Sequence, residues 1–286
     1  LGAKNVDNRQ EQLRAWLCKK ITDRAIDLKL LAGDASFRRY FRLQHDGKTY
    51  VVMDAPPAQE SCRPFVALAE AFATNGVCVP TIYASDVEQG FLLLSDFGDV
   101  LYLDVLTPSR VDTLYTSAMA ESVKIAQCRD FGDYSLPFFD AKLLQREIDL
   151  FFDWYLDRHL GLSVSHAEKE MLDRVSSQLI EDALAQPQVC VHRDYHSRNL
   201  ILLEKQTVGV LDFQDAVWGP ITYDLMSLLR DCYIDWPYDR VMHWVEQYRN
   251  MLVAAGVDPR ANERDFARWF DWVTLQRNLK CMGIFA

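Results

Sequence analysis

Asp194, Asn199 and Asp212 are the residues of this chain whose types and spacing could do chemistry. They lie in two stretches, His192-Arg193-Asp194-Tyr195-His196-Ser197-Arg198-Asn199 and Val210-Leu211-Asp212-Phe213. Between them, the apolar runs 200–203 and 208–211 flank Glu204-Lys205-Gln206-Thr207, which reads as a β-hairpin. Folding the chain about that turn sets Asn199 opposite Asp212. An amide oxygen beside a carboxylate suits Mg²⁺ on nucleotide phosphates, because Mg²⁺ takes few protein oxygens and completes its shell from phosphate and water. Asp194, just before them, is positioned to accept a proton from an attacking hydroxyl. An ordinary polar loop has no reason to carry all of these together.

The elements that must hold these residues differ along the chain. In the first hundred residues, a predicted amphipathic helix over 8–21 puts Leu13, Trp16 and Leu17 on one side. Short strands follow at 28–31, 37–43, 49–53, 81–84 and 91–94, with a helix over 64–75 among them. From Ser109 the apolar period changes from two to about 3.6. Ser109 with Asp112 resembles a capping box ahead of Val111, Leu114, Tyr115, Ala118 and Met119 on one helical face. Further helices read at 143–160, 167–183, 223–232, 238–255 and 263–280, interrupted only by the hairpin. The pattern predicts an α+β fold of two lobes: 1–94 a small antiparallel sheet with a helix, 95–99 a linker, and 100–286 mostly helical.

Composition narrows the function classes. The 286 residues are 49% apolar and 25% charged, ordinary for a globular protein, with a net charge of −10. An acidic chain lacks the basic face that nucleic acids or anionic membranes require. No apolar run reaches membrane-spanning length, and the start shows no hydrophobic signal region. Seven scattered cysteines without a Cys-x-x-Cys read as thiols in a reducing cytoplasm. The chain begins on Leu1 and ends inside a helical pattern at 282–286, as expected of a piece of a longer protein.

On these motifs the chain resembles the aminoglycoside-phosphotransferase and choline-kinase-like family of small-molecule kinases, over nearly its whole length. Four segments, 34–42, 53–57, the catalytic loop and Asp212-Phe213-Gln214-Asp215-Ala216-Val217-Trp218-Gly219-Pro220, are similar to bacterial kinases that phosphorylate N-acetylmuramate and N-acetylglucosamine at the anomeric hydroxyl. The resemblance implies a protein-kinase-like two-lobed fold, ATP and Mg²⁺ as cofactors, and a small sugar as acceptor. It makes Asp194 the base, Asn199 and Asp212 the metal ligands, and His192 and Asp224 structural supports. For the nucleotide it implies Gly33 and Ser36 in a shortened phosphate loop, with Arg38 for positive charge. Backbone groups from Leu94 to Asp96 would meet adenine, and Ile201 with Leu211 would form the pocket floor. For the acceptor it suggests Arg146, Glu147 and Asp231, with Asp153, Trp154 and Trp236 as further candidates.

One departure stands out. The third strand, Tyr50-Val51-Val52-Met53-Asp54, lacks the phosphate-pairing Lys of related kinases, leaving Arg38, Arg39 or Arg42 to supply the charge. Arg38 and Arg42 fall on one strand face and Arg39 on the other. The missing Lys also keeps open a non-catalytic nucleotide-binding regulator, while an antibiotic- or choline-type kinase is the rival on the same scaffold. A protein kinase fits poorly, because the eleven residues 213–223 leave little room for an activation segment.

Overall fold

A computed structural model describes residues 2–21, 26–31 and 37–286, with side chains from residue 8 onward. Packing divides the chain into two units, 1–69 with 79–98 and 70–78 with 99–286. Residues 70–78, expected in the first lobe, thus group with the second.

In the first unit, helix α1 (Gly2–Lys20) precedes strands β1 (Leu28–Leu30), β2 (Arg39–His45) and β3 (Lys48–Asp54). Helix α2 (Arg63–Thr74) then leads to β4 (Ile82–Asp86) and β5 (Phe91–Ser95). The strands form one antiparallel sheet in the order β1-β2-β3-β5-β4. The β2–β3 turn places Asp46 and Gly47 at φ 47° and 74°, the paired left-handed conformation of a tight hairpin. Leu13, Trp16 and Leu17 bury the predicted face of α1 against Leu28, Phe41, Leu43, Val52, Phe91 and Leu93.

The second unit contains α3 (Tyr102–Val105), α4 (Val111–Gln127) and α5 (Ala141–Leu150), which runs on into a π-helical stretch over Phe151–His159. Helix α6 (His166–Ala185) is followed by β6 (Gln188–Val191), β7 (Leu200–Leu202), β8 (Val208–Val210) and β9 (Val217–Pro220). Helices α7 (Tyr223–Leu229), α8 (Tyr238–Ala254) and α9 (Glu263–Phe285) complete it. Val111, Leu114, Tyr115, Ala118 and Met119 are buried along α4 as the periodicity predicts. The expected Ser109 cap does not form: Arg110 precedes the helix without a side-chain cap, and Asp112 instead accepts from Arg240 and from the Trp244 indole. Among the described residues no helix is long and apolar enough to cross a membrane.

Candidate active site

The candidate catalytic loop, residues 192–199, leaves β6, and the chain returns through two antiparallel pairs. β6 pairs with β9, from Gln188 opposite Pro220 to Val191 opposite Val217, and β7 pairs with β8. The hairpin exists, but its register differs by one from the expected one. Leu200 faces Val210, and the Leu211 amide donates to the Asn199 carbonyl at 2.9 Å, so Asn199 faces Leu211 and not Asp212. The cause is the turn. Only residues 204–206 loop out, with Lys205 and Gln206 at φ 57° and 61°, while the Leu203 amide still donates to the Thr207 carbonyl. Asp212, one position on, adopts φ 59° itself, and Gln214 Nε2 donates to its Oδ1 at 2.6 Å.

The loop is braced by buried acids. Asp224, in the first turn of α7, accepts from the His192 amide at 2.7 Å and the Arg193 amide at 3.0 Å. Burial pushes its carboxyl up to about 6, although the bonds from His192 and Arg193 pull the other way. These two bonds hold Arg193 at φ 76°, a conformation that costs a side-chain-bearing residue on the order of 1–3 kcal/mol. His192 is fully buried; its Nε2 donates to the Leu211 carbonyl at 2.8 Å and its Nδ1 accepts from the Asp194 amide at 3.3 Å. That pairing selects the neutral Nε2–H tautomer. Tyr195, also buried, donates to the Ala118 carbonyl of α4 at 2.7 Å.

Two residues suggested for the acceptor have bracing positions as well. Glu147 is buried, accepting from Arg193 at 2.8 Å and pairing with Lys280 of α9 at 2.8 Å, with Gln276 at 3.3 Å. Asp231 is buried and accepts from the Ser197 amide and hydroxyl and from the Tyr233 amide. Arg146 is exposed on α5. Asp153 and Trp154 lie exposed on the π-helical stretch, and Trp236 is core, donating to the Tyr115 hydroxyl at 3.1 Å.

Asp194 differs from all of these acids. Its carbonyl accepts from Asn199 Nδ2 at 3.0 Å, but its half-buried carboxylate has no hydrogen bond or ion pair among the described residues. Burial raises its pKa, yet Lys280 above all, with Arg193 and Arg277, outweighs burial and holds the carboxyl below the usual carboxylate range. The carboxylate lines a cavity of about 180 Å³ with Arg277, Lys280, Cys232 and Tyr233. Cys232 is drawn down to about 6 by a hydrogen bond with Cys281, opposed by burial and helped by Arg277. Sequence reasoning missed this wall of the site. Its signal was the Arg277 and Lys280 pair, spaced to share one face of the last predicted helix.

The expected nucleotide residues lie partly in the first unit. Gly33 and Ser36 fall outside the described residues. Arg38 is buried and pairs with Glu60. Arg39 donates Nε to Asp54 at 3.1 Å, where Arg9 also donates at 2.9 Å. Arg42 pairs with Asp96 at 2.6 Å, and Asp96 accepts from the Gly98 amide. All three candidate arginines thus have carboxylate partners. Leu94 is buried in β5. In the second unit Ile201 is buried opposite Gly209, and Leu211 is half-buried.

The profile of the phosphotransferase enzyme family (APH) matches residues 27–270. A Pseudomonas putida protein named N-acetylmuramate/N-acetylglucosamine kinase is 45% identical over 98% of this chain and 85% of its own length. A Neisseria meningitidis protein of the same name is 38% identical over 97% of this chain and 83% of its own. Among solved structures, a Plasmodium vivax ethanolamine kinase superposes with a TM-score of 0.63 at 11% identity, covering 89% of this chain and 74% of that one. The ADP-bound aminoglycoside phosphotransferase APH(2'')-Ib gives 0.59 at 13% identity, covering 93% and 98%. At such identities these structures establish the fold: a five-stranded antiparallel sheet followed by a mostly helical region.

Proposed function

This chain belongs to the phosphotransferase enzyme family, and we propose that it transfers the γ-phosphate of ATP to the anomeric hydroxyl of N-acetylmuramate or N-acetylglucosamine. The observation that carries the reading is Asp194: a carboxylate kept ionised, with no hydrogen bond or ion pair among the described residues, on a loop braced by neighbouring acids that are all bonded. Such a group can orient an acceptor hydroxyl and take its proton as the O–P bond forms. The acceptor is inferred from the two bacterial kinases, which this chain matches over nearly its whole length.

Around the base, each residue has a task. Asp224 fixes the backbone at 192–193 and so the position of Asp194, and the His192 ring ties the loop to the strand end at Leu211. Asn199 commits its amide nitrogen to Asp194, leaving an amide oxygen; Asp212 offers a carboxylate. Two hard oxygen donors fit Mg²⁺, and they would hold it. Mg²⁺, when bound, neutralises charge on the nucleotide phosphates. Among the described residues no three His, Cys, Asp or Glu side chains could hold a metal on their own, so nucleotide oxygens would complete its shell. In the first unit, backbone groups from Leu94 to Asp96 would meet adenine; in the second, Ile201 and Leu211 would be apolar contacts for the nucleotide. The cytoplasm, where thiols stay reduced, suits a protein whose seven cysteines form no disulfide.

Phosphorus NMR of the product tests this directly. The expected product is a sugar 1-phosphate, and a 1-O-methyl glycoside should not react. Phosphate on C6, or faster turnover of kanamycin than of either sugar, would defeat the acceptor assignment. Asp194→Asn should keep ATP binding and lower kcat on the order of 10²–10⁴-fold; near-normal turnover would remove Asp194 from its role.

A further inference from the structure

Arg277 of α9 is the anomaly among the cations of the second unit's core. It is only 4% exposed. The other cations facing the catalytic loop, Arg193 and Lys280, both meet Glu147 at 2.8 Å. Arg277 forms no ion pair among the described residues, and its one hydrogen bond runs from Nη1 to the Cys232 sulfur at 3.6 Å. A guanidinium carries five N–H donors, and a single sulfur at that distance satisfies one of them weakly. The nearby Asp231 carboxylate is taken by Ser197 and Tyr233. The only bonded counter-charge of Arg277 among the described residues is the Cys232 sulfur, whose thiol Arg277 helps to draw down. One sulfur leaves most of the guanidinium's donors unfilled, and unfilled donors on a buried charge are costly, so such a group is kept where an anion arrives from outside.

The guanidinium lines the same cavity as the Asp194 carboxylate. Resting on the reading of Asp194 as the base toward a sugar hydroxyl, we infer that Arg277 is a specificity-determining residue that binds a carboxylate on the acceptor. The flat guanidinium fork matches a carboxylate with two parallel hydrogen bonds, which Lys or a neutral donor cannot reproduce. The two acceptors differ in this group: N-acetylmuramate is N-acetylglucosamine bearing a lactyl ether with a free carboxylate. Arg277 therefore sets the preference for the sugar acid over the neutral sugar. Lys280, on the same helix face but held by Glu147, adds positive potential to the cavity without being its ligand.

The test compares kcat/KM for N-acetylmuramate, its carboxamide and N-acetylglucosamine in the wild-type chain, then in Arg277→Gln and Arg277→Lys. A hydrogen-bonded charge pair of this kind corresponds to roughly 10–100-fold. The wild type should prefer the acid to its carboxamide by that factor, Arg277→Gln should bring the ratio near one, and Arg277→Lys should recover part of it. Equal use of acid and carboxamide by the wild type overturns the inference, as does a ratio unchanged in Arg277→Gln. The wild-type comparison stands by itself if the variants fail to fold. Turnover of both sugars without discrimination removes only the role of Arg277; no turnover of either sugar removes the proposed function with it.

Discussion

Replacing Asp224 by Asn separates two effects of one buried acid. Its carboxylate takes both the His192 and Arg193 amides, at 2.7 and 3.0 Å. An amide side chain of the same shape can accept only one of them and turns an N–H₂ toward the other. The amide that meets the new N–H₂ loses its acceptor, which costs on the order of 1–3 kcal/mol. Against this, the change removes a buried charge. The folded-state pKa, about 6, lies above the ordinary carboxyl value, so the folded protein takes up the proton first. The unfolded chain therefore binds fewer protons between about pH 4 and 6, and this group lowers stability as pH rises through that window, by about 3 kcal/mol in all. At pH 7 the two terms nearly offset, leaving Asp224→Asn within about 2 kcal/mol of the wild type, a Tm change of several degrees at most. Turnover should fall far more. Once a restraint on Arg193 is gone, its φ of 76° relaxes and Asp194 moves, and a misplacement near 1 Å costs about 10²-fold. Calorimetry from pH 4 to 8 and steady-state kinetics read both parts. The wild type should lose its stability advantage over the variant as pH rises through the window. A variant with wild-type kcat, or a stability difference flat across pH, would refute the account.

Three other expectations follow from individual contacts. A Cβ on Gly283 would sit 2.3 Å from the Leu150 carbonyl carbon and 2.7 Å from the Phe151 nitrogen, both backbone, so Gly283→Ala must push α9 away from α5. A loss of about 1–3 kcal/mol in thermal melts and a raised acceptor KM are expected, and an unchanged Tm would count against this contact. Arg39→Ala should act on stability, by about 1–3 kcal/mol, since it leaves the buried Asp54 with Arg9 alone, whereas Arg42→Ala should raise the KM for ATP by freeing Asp96; the opposite split in melts and ATP titrations would reverse these roles. Because cations hold Asp194 below the usual carboxylate range, its acid limb in kcat/KM should lie below that range, under the separate limb that Asp224 sets near pH 6; Lys280→Met should move the lower limb upward, and a lower limb that stays put would remove Lys280 as the main cause.

Much of the site could be read from residue order, because a loop that does chemistry carries its groups at fixed offsets. Asn199 bonds to the Asp194 carbonyl and lies opposite Leu211, one residue before Asp212, and the buried face of α1 follows from the spacing of Leu13, Trp16 and Leu17. The register of the hairpin could not be read. A three-residue loop usually shows a Gly where the backbone turns left-handed; here Lys205 and Gln206 adopt that conformation with no such sign. The β6–β9 pair was missed because each strand is four residues long and its partner lies across the whole catalytic loop. The π-helical turns at 151–159 leave the apolar pattern helical, so only backbone geometry distinguishes them.

The acids were the harder case, and the reason is physical. Glu147, Asp194, Asp224 and Asp231 are alike in sequence: each is a carboxylate near the loop or on a flanking helix. What separates them is how many donors reach each one, which depends on residues tens of positions away. Asp224 meets amides some thirty residues earlier, and Glu147 meets Arg193 and Lys280 from two distant elements. A carboxylate saturated by donors holds structure; one that is ionised yet unbonded remains available to a substrate. The same logic applied to cations isolates Arg277, whose unfilled donors show only in three dimensions. The proposed base and the proposed acceptor anchor thus share one criterion, a buried or half-buried charge that the fold leaves for something else to satisfy.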